Sequence, residues 1–228
     1  MAKLSVVATP IGNLEDITLR ALRVLRECDV IACEDTRTTK KLLMHFDIKT
    51  PTVAFHAHSG EKGFEKIIAL LEVGKHVALV SDAGTPGVSD PGQELVSRVR
   101  EHFTDEVTIE AIAGPSALAA AISVAGLRAA SFMFYGFLPL KKGRESLFNE
   151  IAESERASVF YESSHRIVKA LESLAARLPD DRRIGVFREL TKLHEEAIIG
   201  SATEVLARVI ADSNKQRGEF VVIVESAH

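Results

Sequence analysis

The chain of 228 residues holds only two cysteines, Cys28 and Cys33, without CxxC spacing. Two cysteines so placed exclude a disulfide scaffold and a cysteine zinc site, and they point to a reducing compartment. No apolar run approaches the roughly 20 residues of a membrane-crossing helix. The first strand follows directly on the N-terminus with no signal-peptide pattern, so a cytoplasmic protein with no membrane association is expected. Surplus positive charge is lacking too: 28 Lys and Arg against 32 Asp and Glu leave a net charge of −4. That balance argues against a wide nucleic-acid footprint, which needs clustered cations facing phosphates. Local basic clusters exist at Arg37, Lys40 and Lys41, at Lys141, Lys142 and Arg144, and at Arg182 and Arg183.

Several catalytic signatures are also missing. GxxxxGK[ST], GxGxxG, HExxH and GxSxG do not occur, which sets aside a phosphate cradle, a zincin and a serine hydrolase elbow. His56 and His58 alternate on an extended segment, and Asp82 or Glu34 lies within the same group of strand ends. No ligand spacing supports a metal, and none is expected.

What is present is alternation of strand and helix. Apolar runs at 4–8, 29–33, 52–55, 76–80 and 107–111 read as strands, and helical spacing follows each, as at Leu19, Leu22 and Leu25 after a cap at Asp16 or Thr18. The repeated βα pattern predicts a mostly parallel sheet. After Gly126 strands follow one another more closely, at 132–137, 158–161, 184–187, 197–199 and 220–224, with helices over 145–153, 165–177 and 204–210. This predicts a second α/β domain with a mixed sheet. The expected domains are therefore 1–126 and 127–228.

The richest stretch is His76 to Gly92, HVALVSDAGTPGVSDPG. An apolar strand there empties into a loop of glycine, proline and aspartate that contains no Lys. In open α/β sheets, ligands bind at the carboxyl ends of strands, and glycines let the backbone come close. Asp82 and Asp90 suit a ligand carrying hydroxyls or positive charge. Other strands also end in polar residues: Thr9-Pro10, Glu34-Asp35-Thr36-Arg37, Gly114-Pro115-Ser116, Glu162 with His165 and Arg166, and Arg188-Glu189. Glu34, Asp35, Glu162, His165 and Glu189 are acid–base candidates, each near an arginine. The plainer alternative is that Glu34–Arg37 and Arg188–Glu189 are structural ion pairs.

Val7-Ala8-Thr9-Pro10-Ile11-Gly12-Asn13-Leu14-Glu15-Asp16-Ile17-Thr18 resembles the N-terminal signature of the bacterial small-subunit ribosomal RNA methyltransferases I, a branch of the tetrapyrrole (corrin/porphyrin) methylase superfamily. The resemblance runs on through Ala32 to Arg37, Ser81 to Gly92, Gly114 to Ala117, Tyr135 to Pro139, Phe160 to Arg166, Arg188 to Lys192 and Gly218 to Val221. It implies two α/β domains with S-adenosylmethionine in the cleft between them, and 2′-O-methylation of a cytidine in 16S ribosomal RNA within the small ribosomal subunit. A homodimer is implied as well. Carried over by position, the cofactor residues would be Pro10, Asp82, Ala83, Gly84, Thr85, Ser116, Ala117, Phe137, Leu138, Tyr161, Glu162, Glu189 and Leu190. Glu34 or Glu162 is expected as the base, with Arg37, His165 and Arg188 gripping phosphate or acidifying the hydroxyl. The alternatives are a corrin- or porphyrin-type small-molecule methyltransferase and a non-catalytic protein that binds S-adenosylmethionine.

Overall fold

The computed structural model describes residues 2–55 and 60–227, the side chains of 60–62 excepted. His56 and His58 lie outside the described residues. The chain divides into two compact units, Met1–Ser116 and Ala117–His228. The division falls at Ser116 rather than Gly126 because the helix that follows packs on the second unit's sheet.

In the first unit five strands, β1 (Lys3–Val7), β2 (Val30–Cys33), β3 (Thr52–Ala54), β4 (His76–Val80) and β5 (Thr108–Ile112), form a sheet in the order β3-β2-β4-β1-β5. Every pairing is parallel. Helices α1 (Leu19–Glu27) and α2 (Thr36–His45) cover one face, with Ala21, Val24, Leu25 and Leu43 packed on Val7, Ile31, Ala78 and Val80. Helices α3 (Gly60–Glu72) and α4 (Gly92–Phe103) cover the other through Phe64, Ile67, Leu71, Leu95 and Val99. β1 and β4 are neighbours, yet the chain leaves β1 toward one face and β4 toward the other. Such a divergence opens a crevice at the carboxyl ends of the two strands, where α/β sheets take ligands.

Thr18, not Asp16, caps α1: its side chain accepts from Ala21 N at 3.0 Å, and Asp16 closes a short 3₁₀ turn. The buried stripe of α1 is Ala21, Val24 and Leu25, while Leu19 is 85% exposed. A side chain in a helix's first turn reaches back beyond the sheet it is read as facing.

The second unit begins with α5 (Ala117–Ala125), which precedes β6 (Phe132–Phe137), α6 (Arg144–Glu153), β7 (Ala157–Ser163) and α7 (Ile167–Ala175). Then come β8 (Arg183–Arg188), β9 (Glu196–Ser201), α8 (Ala202–Ile210) and β10 (Glu219–Val224). The sheet order is β6-β7-β10-β8-β9, with β6–β7 parallel and the other pairs antiparallel. Because β10 opposes both β7 and β8, strands β6, β7 and β8 run the same way and end on one edge. Helices α6, α7 and α8 bury Phe148, Ile151, Leu171, Leu174 and Val205 against Phe160, Val186 and Val222. Helix α8 starts at Ala202, not Glu204, since Ser201 and Glu204 make a reciprocal capping box.

Candidate functional site

At the carboxyl end of β4 the chain folds into a loop fastened to its neighbours by its own backbone. Thr9 and Gly84 exchange two main-chain hydrogen bonds, at 2.9 and 3.0 Å, in an isolated antiparallel bridge. Gly84 has φ +80°, and a Cβ there would meet Ile11 Cγ2 at 3.2 Å. Thr85 Oγ1 donates to Pro115 O at 3.0 Å, so the segment before Ser116 is tied to the same loop. Asp90 Oδ1 accepts from Gly87 N at 2.8 Å and Gly92 N at 2.7 Å. Asp90 therefore shapes the loop instead of facing a ligand. At Gly92 a Cβ would fall 2.8 Å from that same oxygen, which explains why only glycine fits.

Three carboxylates meet at the ends of β2 and β4. Asp82 Oδ1 accepts from Asp35 N at 3.1 Å, and Asp82 N donates toward Glu34 Oε2 at 3.5 Å. Asp35 caps α2 and accepts from Arg37 N at 2.7 Å. The side-chain hydrogen bond from the Arg37 guanidinium, also at 2.7 Å, is the main reason the Asp35 carboxyl is lowered to about 2. The ion pair of this turn is thus Asp35–Arg37, and Glu34 is not Arg37's partner. A cavity of about 220 Å³ opens here, walled by Thr9, Pro10 and Leu14 on one side, Thr38, Thr39, Lys41 and Leu42 of α2 on another, and Val80, Ser81 and Asp82 at its base. Burial pushes the Cys28 thiol up to about 11 and raises Cys33 as well. Neither is a nucleophile at neutral pH.

In the second unit the shared edge of β6, β7 and β8 carries Phe137 and Leu138, Tyr161 and Glu162, and Glu189 and Leu190. The rings of Phe137 and Tyr161 meet edge to face at 5.5 Å. Glu162 has no exposed side-chain surface and pairs with Arg144 and Arg166, both at 2.7 Å. It is closed to solvent, held between the two guanidinium groups. Arg188 donates to the carbonyls of Arg217 at 2.6 Å and His194 at 3.1 Å, which fastens its guanidinium to the loop. Glu189 pairs with Lys192 at 2.9 Å rather than with Arg188. Burial raises the Glu189 carboxyl, but the Lys192 hydrogen bond and the Glu219 N–H outweigh it and hold it below its usual range. Glu189 and Thr191 both have positive φ, +50° and +67°. Strain of this kind persists only where surrounding contacts enforce it. His165 is exposed.

The chain matches the family described as Tetrapyrrole (Corrin/Porphyrin) Methylases over residues 3–206. It belongs to that family. A Xylella fastidiosa protein named ribosomal RNA small subunit methyltransferase I is 45% identical over 225 residues, covering 98% of this chain and 81% of that protein. A Thermotoga maritima protein of the same name is 42% identical over 224 residues, covering 98% of each. Among solved structures, a uroporphyrin-III C-methyltransferase from Thermus thermophilus complexed with S-adenosyl homocysteine superposes with TM-score 0.67. It is 18% identical and covers 98% of this chain and 97% of that one, a likeness of fold.

Of the residues expected in this tetrapyrrole methylase's site, Pro10, Glu34, Arg37 and Asp82 to Thr85 gather at the carboxyl ends of the first sheet. Ser116 closes that unit, and Ala117 opens α5 in the next. Two of the three basic clusters lose a member, since Arg144 is in the Glu162 pair and Arg182 is 4% exposed with its donors on backbone carbonyls, whereas Arg37, Lys40 and Lys41 are all exposed on α2. The sequence reading missed the roles of three residues it had named. Thr9 holds the loop through its backbone, Arg144 reaches Glu162 across 18 residues, and Lys192 bridges Glu189 and Glu219. Only Lys192 left a local signal, its i,i+3 spacing from Glu189. Among the described residues no helix is long and apolar enough to cross a membrane, and no group of three or more His, Cys, Asp and Glu is placed to hold a metal ion.

Proposed function

We propose that this chain is an S-adenosylmethionine-dependent methyltransferase that methylates the 2′-hydroxyl of a cytidine in 16S ribosomal RNA. The observation that carries the reading is 42–45% identity over nearly the whole chain to proteins named ribosomal RNA small subunit methyltransferase I. On this reading the acceptor lies within the small ribosomal subunit, and the protein works in the cytoplasm as a homodimer. A small-molecule corrin or porphyrin substrate is supported by common fold alone.

The residues at the strand ends suit the cofactor. Ser81 to Gly92 contains no Lys or Arg, as fits a ligand without phosphate. Asp82 and Glu34 offer acceptors for ribose hydroxyls and negative charge opposite a sulfonium. When bound, S-adenosylmethionine supplies a methyl group already activated for transfer. The protein's own contribution is then to position the acceptor and remove one proton. We assign that proton to a carboxylate oxygen of Glu34, half-buried at the end of β2, since Glu162 is enclosed. Arg37, whose side chain is 87% exposed, and His165 are left to meet RNA phosphate, and Arg188 is dropped from that role.

Titration calorimetry with S-adenosylmethionine comes first, and absence of binding would remove every methyltransferase reading. Transfer of labelled methyl to 30S subunits, mapped to one nucleotide, then identifies the acceptor. Replacing a general base costs about 10²- to 10⁴-fold in turnover. Glu34→Gln is expected to lose that much, and wild-type turnover in the variant would sink the assignment.

A further inference from the structure

The second unit buries one carboxylate against two guanidinium groups and directs one further donor of each at a single turn. Glu162 meets Arg144 through Oε2 and Arg166 through Oε1, and Oε1 also accepts from Ser163 N at 2.8 Å. Arg144 Nη1 then donates to Pro139 O at 3.2 Å, and Arg166 Nη1 to Leu138 O at 2.9 Å. Two consecutive carbonyls of the turn after β6 thus hang on one buried cluster drawn from α6 and the segment after β7.

The turn cannot hold itself. β6 loses register with β7 between Phe134 and Phe137, and Gly136 has φ +62°. A bulged strand end gives up ladder hydrogen bonds and re-aims the side chains beyond it. Here the side chain re-aimed is Phe137, left 54% exposed beside Tyr161. Buried ion clusters are weak sources of stability, because apolar groups of equal volume serve as well. What apolar packing could not supply is the pair of N–H donors pointed at Leu138 and Pro139.

We propose that Glu162 is a positioning residue. Through Arg144 and Arg166 it holds the Phe137–Pro139 turn in the shape that receives S-adenosylmethionine, and it takes no part in proton transfer. The inference rests on the methyltransferase reading above, and wild-type protein that binds no S-adenosylmethionine would defeat that reading rather than this one.

Given binding by the wild type, the test is Glu162→Gln beside Arg144→Lys, which keeps the charge but gives up the second donor to Pro139. Steady-state kinetics on 30S subunits, calorimetry with S-adenosylmethionine and thermal unfolding are measured for both. The expected result is folded protein whose KM and Kd for S-adenosylmethionine rise about tenfold or more, with kcat at saturating cofactor kept within about threefold. The acid limb of the kcat–pH profile should persist. Unchanged KM and Kd in a folded variant would overturn the proposal. So would collapse of kcat at unchanged KM with loss of the acid limb, which would make Glu162 the base. If Glu162→Gln does not fold, Arg144→Lys carries the same outcomes. Failure of both to fold would assign the cluster to stability and equally overturn it.

Discussion

The Asp35 carboxylate receives the Arg37 amide and guanidinium at once while it starts α2. Hydrogen bonds to the charged form favour ionisation. The Asp35 carboxyl should therefore titrate at about 2 in a carbon-detected NMR titration. Arg37→Ala should move it up toward the ordinary aspartate value, and an unmoved midpoint would rule out Arg37 as the cause. The neighbouring Glu34 was recognisable as a candidate because Glu34-Asp35-Thr36-Arg37 stands directly after an apolar strand. Which of its two carboxylates takes the arginine was not recognisable. Asp35 wins because a capping residue at Ncap lies over the first turn, where Arg37 N and its side chain both reach it.

Arg182, just before β8, fastens the ends of two other elements of the second unit. Its guanidinium donates to Ala152 O at 2.5 Å, Ile151 O at 3.1 Å and Ser154 O at 2.9 Å at the end of α6, and to Glu225 O at 2.9 Å just past β10. The three at α6 are terminal carbonyls that a helix cannot satisfy itself. Arg182→Met should cost about 3 kcal/mol by leaving buried acceptors unpaired, read as a lower urea midpoint at unchanged slope. A loss below 0.5 kcal/mol, the scale of an ordinary surface substitution, would refute the role. In sequence Arg182 looked like half of a basic patch with Arg183, since charge and adjacency say nothing of burial.

The turn after β8 makes a second prediction at this scale. Lys192 joins Glu189 at 2.9 Å and Glu219 at 2.7 Å. The folded Glu189 carboxyl is lowered, so its stabilisation is present above the unfolded glutamate pKa and lost as pH falls through the folded one. Burial lowers the Lys192 ammonium, but Glu219 and Glu189 outweigh it and raise it, so its share is lost as pH rises through that raised value. Lys192→Met should therefore destabilise the protein by about 1 kcal/mol near neutral pH. The gap to wild type should close in acid and again in strong alkali. A gap independent of pH would mean that lost packing, not charge, is responsible.

Across the whole molecule the two sheets differ as the spacing of their strands foretold, all-parallel in the first unit and mixed in the second. A parallel pair needs a long, usually helical, crossover, which the first unit supplies between its strands, whereas the short interval between β8 and β9 suits an antiparallel pair. The boundary was less legible, because an alanine-rich helix reads alike whichever sheet it packs on. A ligand that binds only the folded state stabilises it by about 2.7 kcal/mol at one hundred times its Kd. S-adenosylhomocysteine at that excess should raise the unfolding temperature by several degrees, seen by differential scanning fluorimetry. No rise, with binding already demonstrated by calorimetry, would mean that the binding region is not the one that melts first.

By itself the sequence determined the strands and their order along the chain, the parallel character of the first sheet, the Lys-free loop after β4 and the family resemblance. Each of these is written in short windows of periodicity, turn residues or contiguous motifs. Only the tertiary structure decided where each polar group lies and which partners hold it. Glu34 stays half-buried at a strand end, Asp90 is taken up by its own loop, and Glu162 and Arg188 are consumed by partners. Arg144 lies 18 residues from Glu162, and the carbonyl of Arg217 lies 29 from Arg188. Local pattern carries no record of partners at that range, and whether a charged group is open or committed depends on those partners.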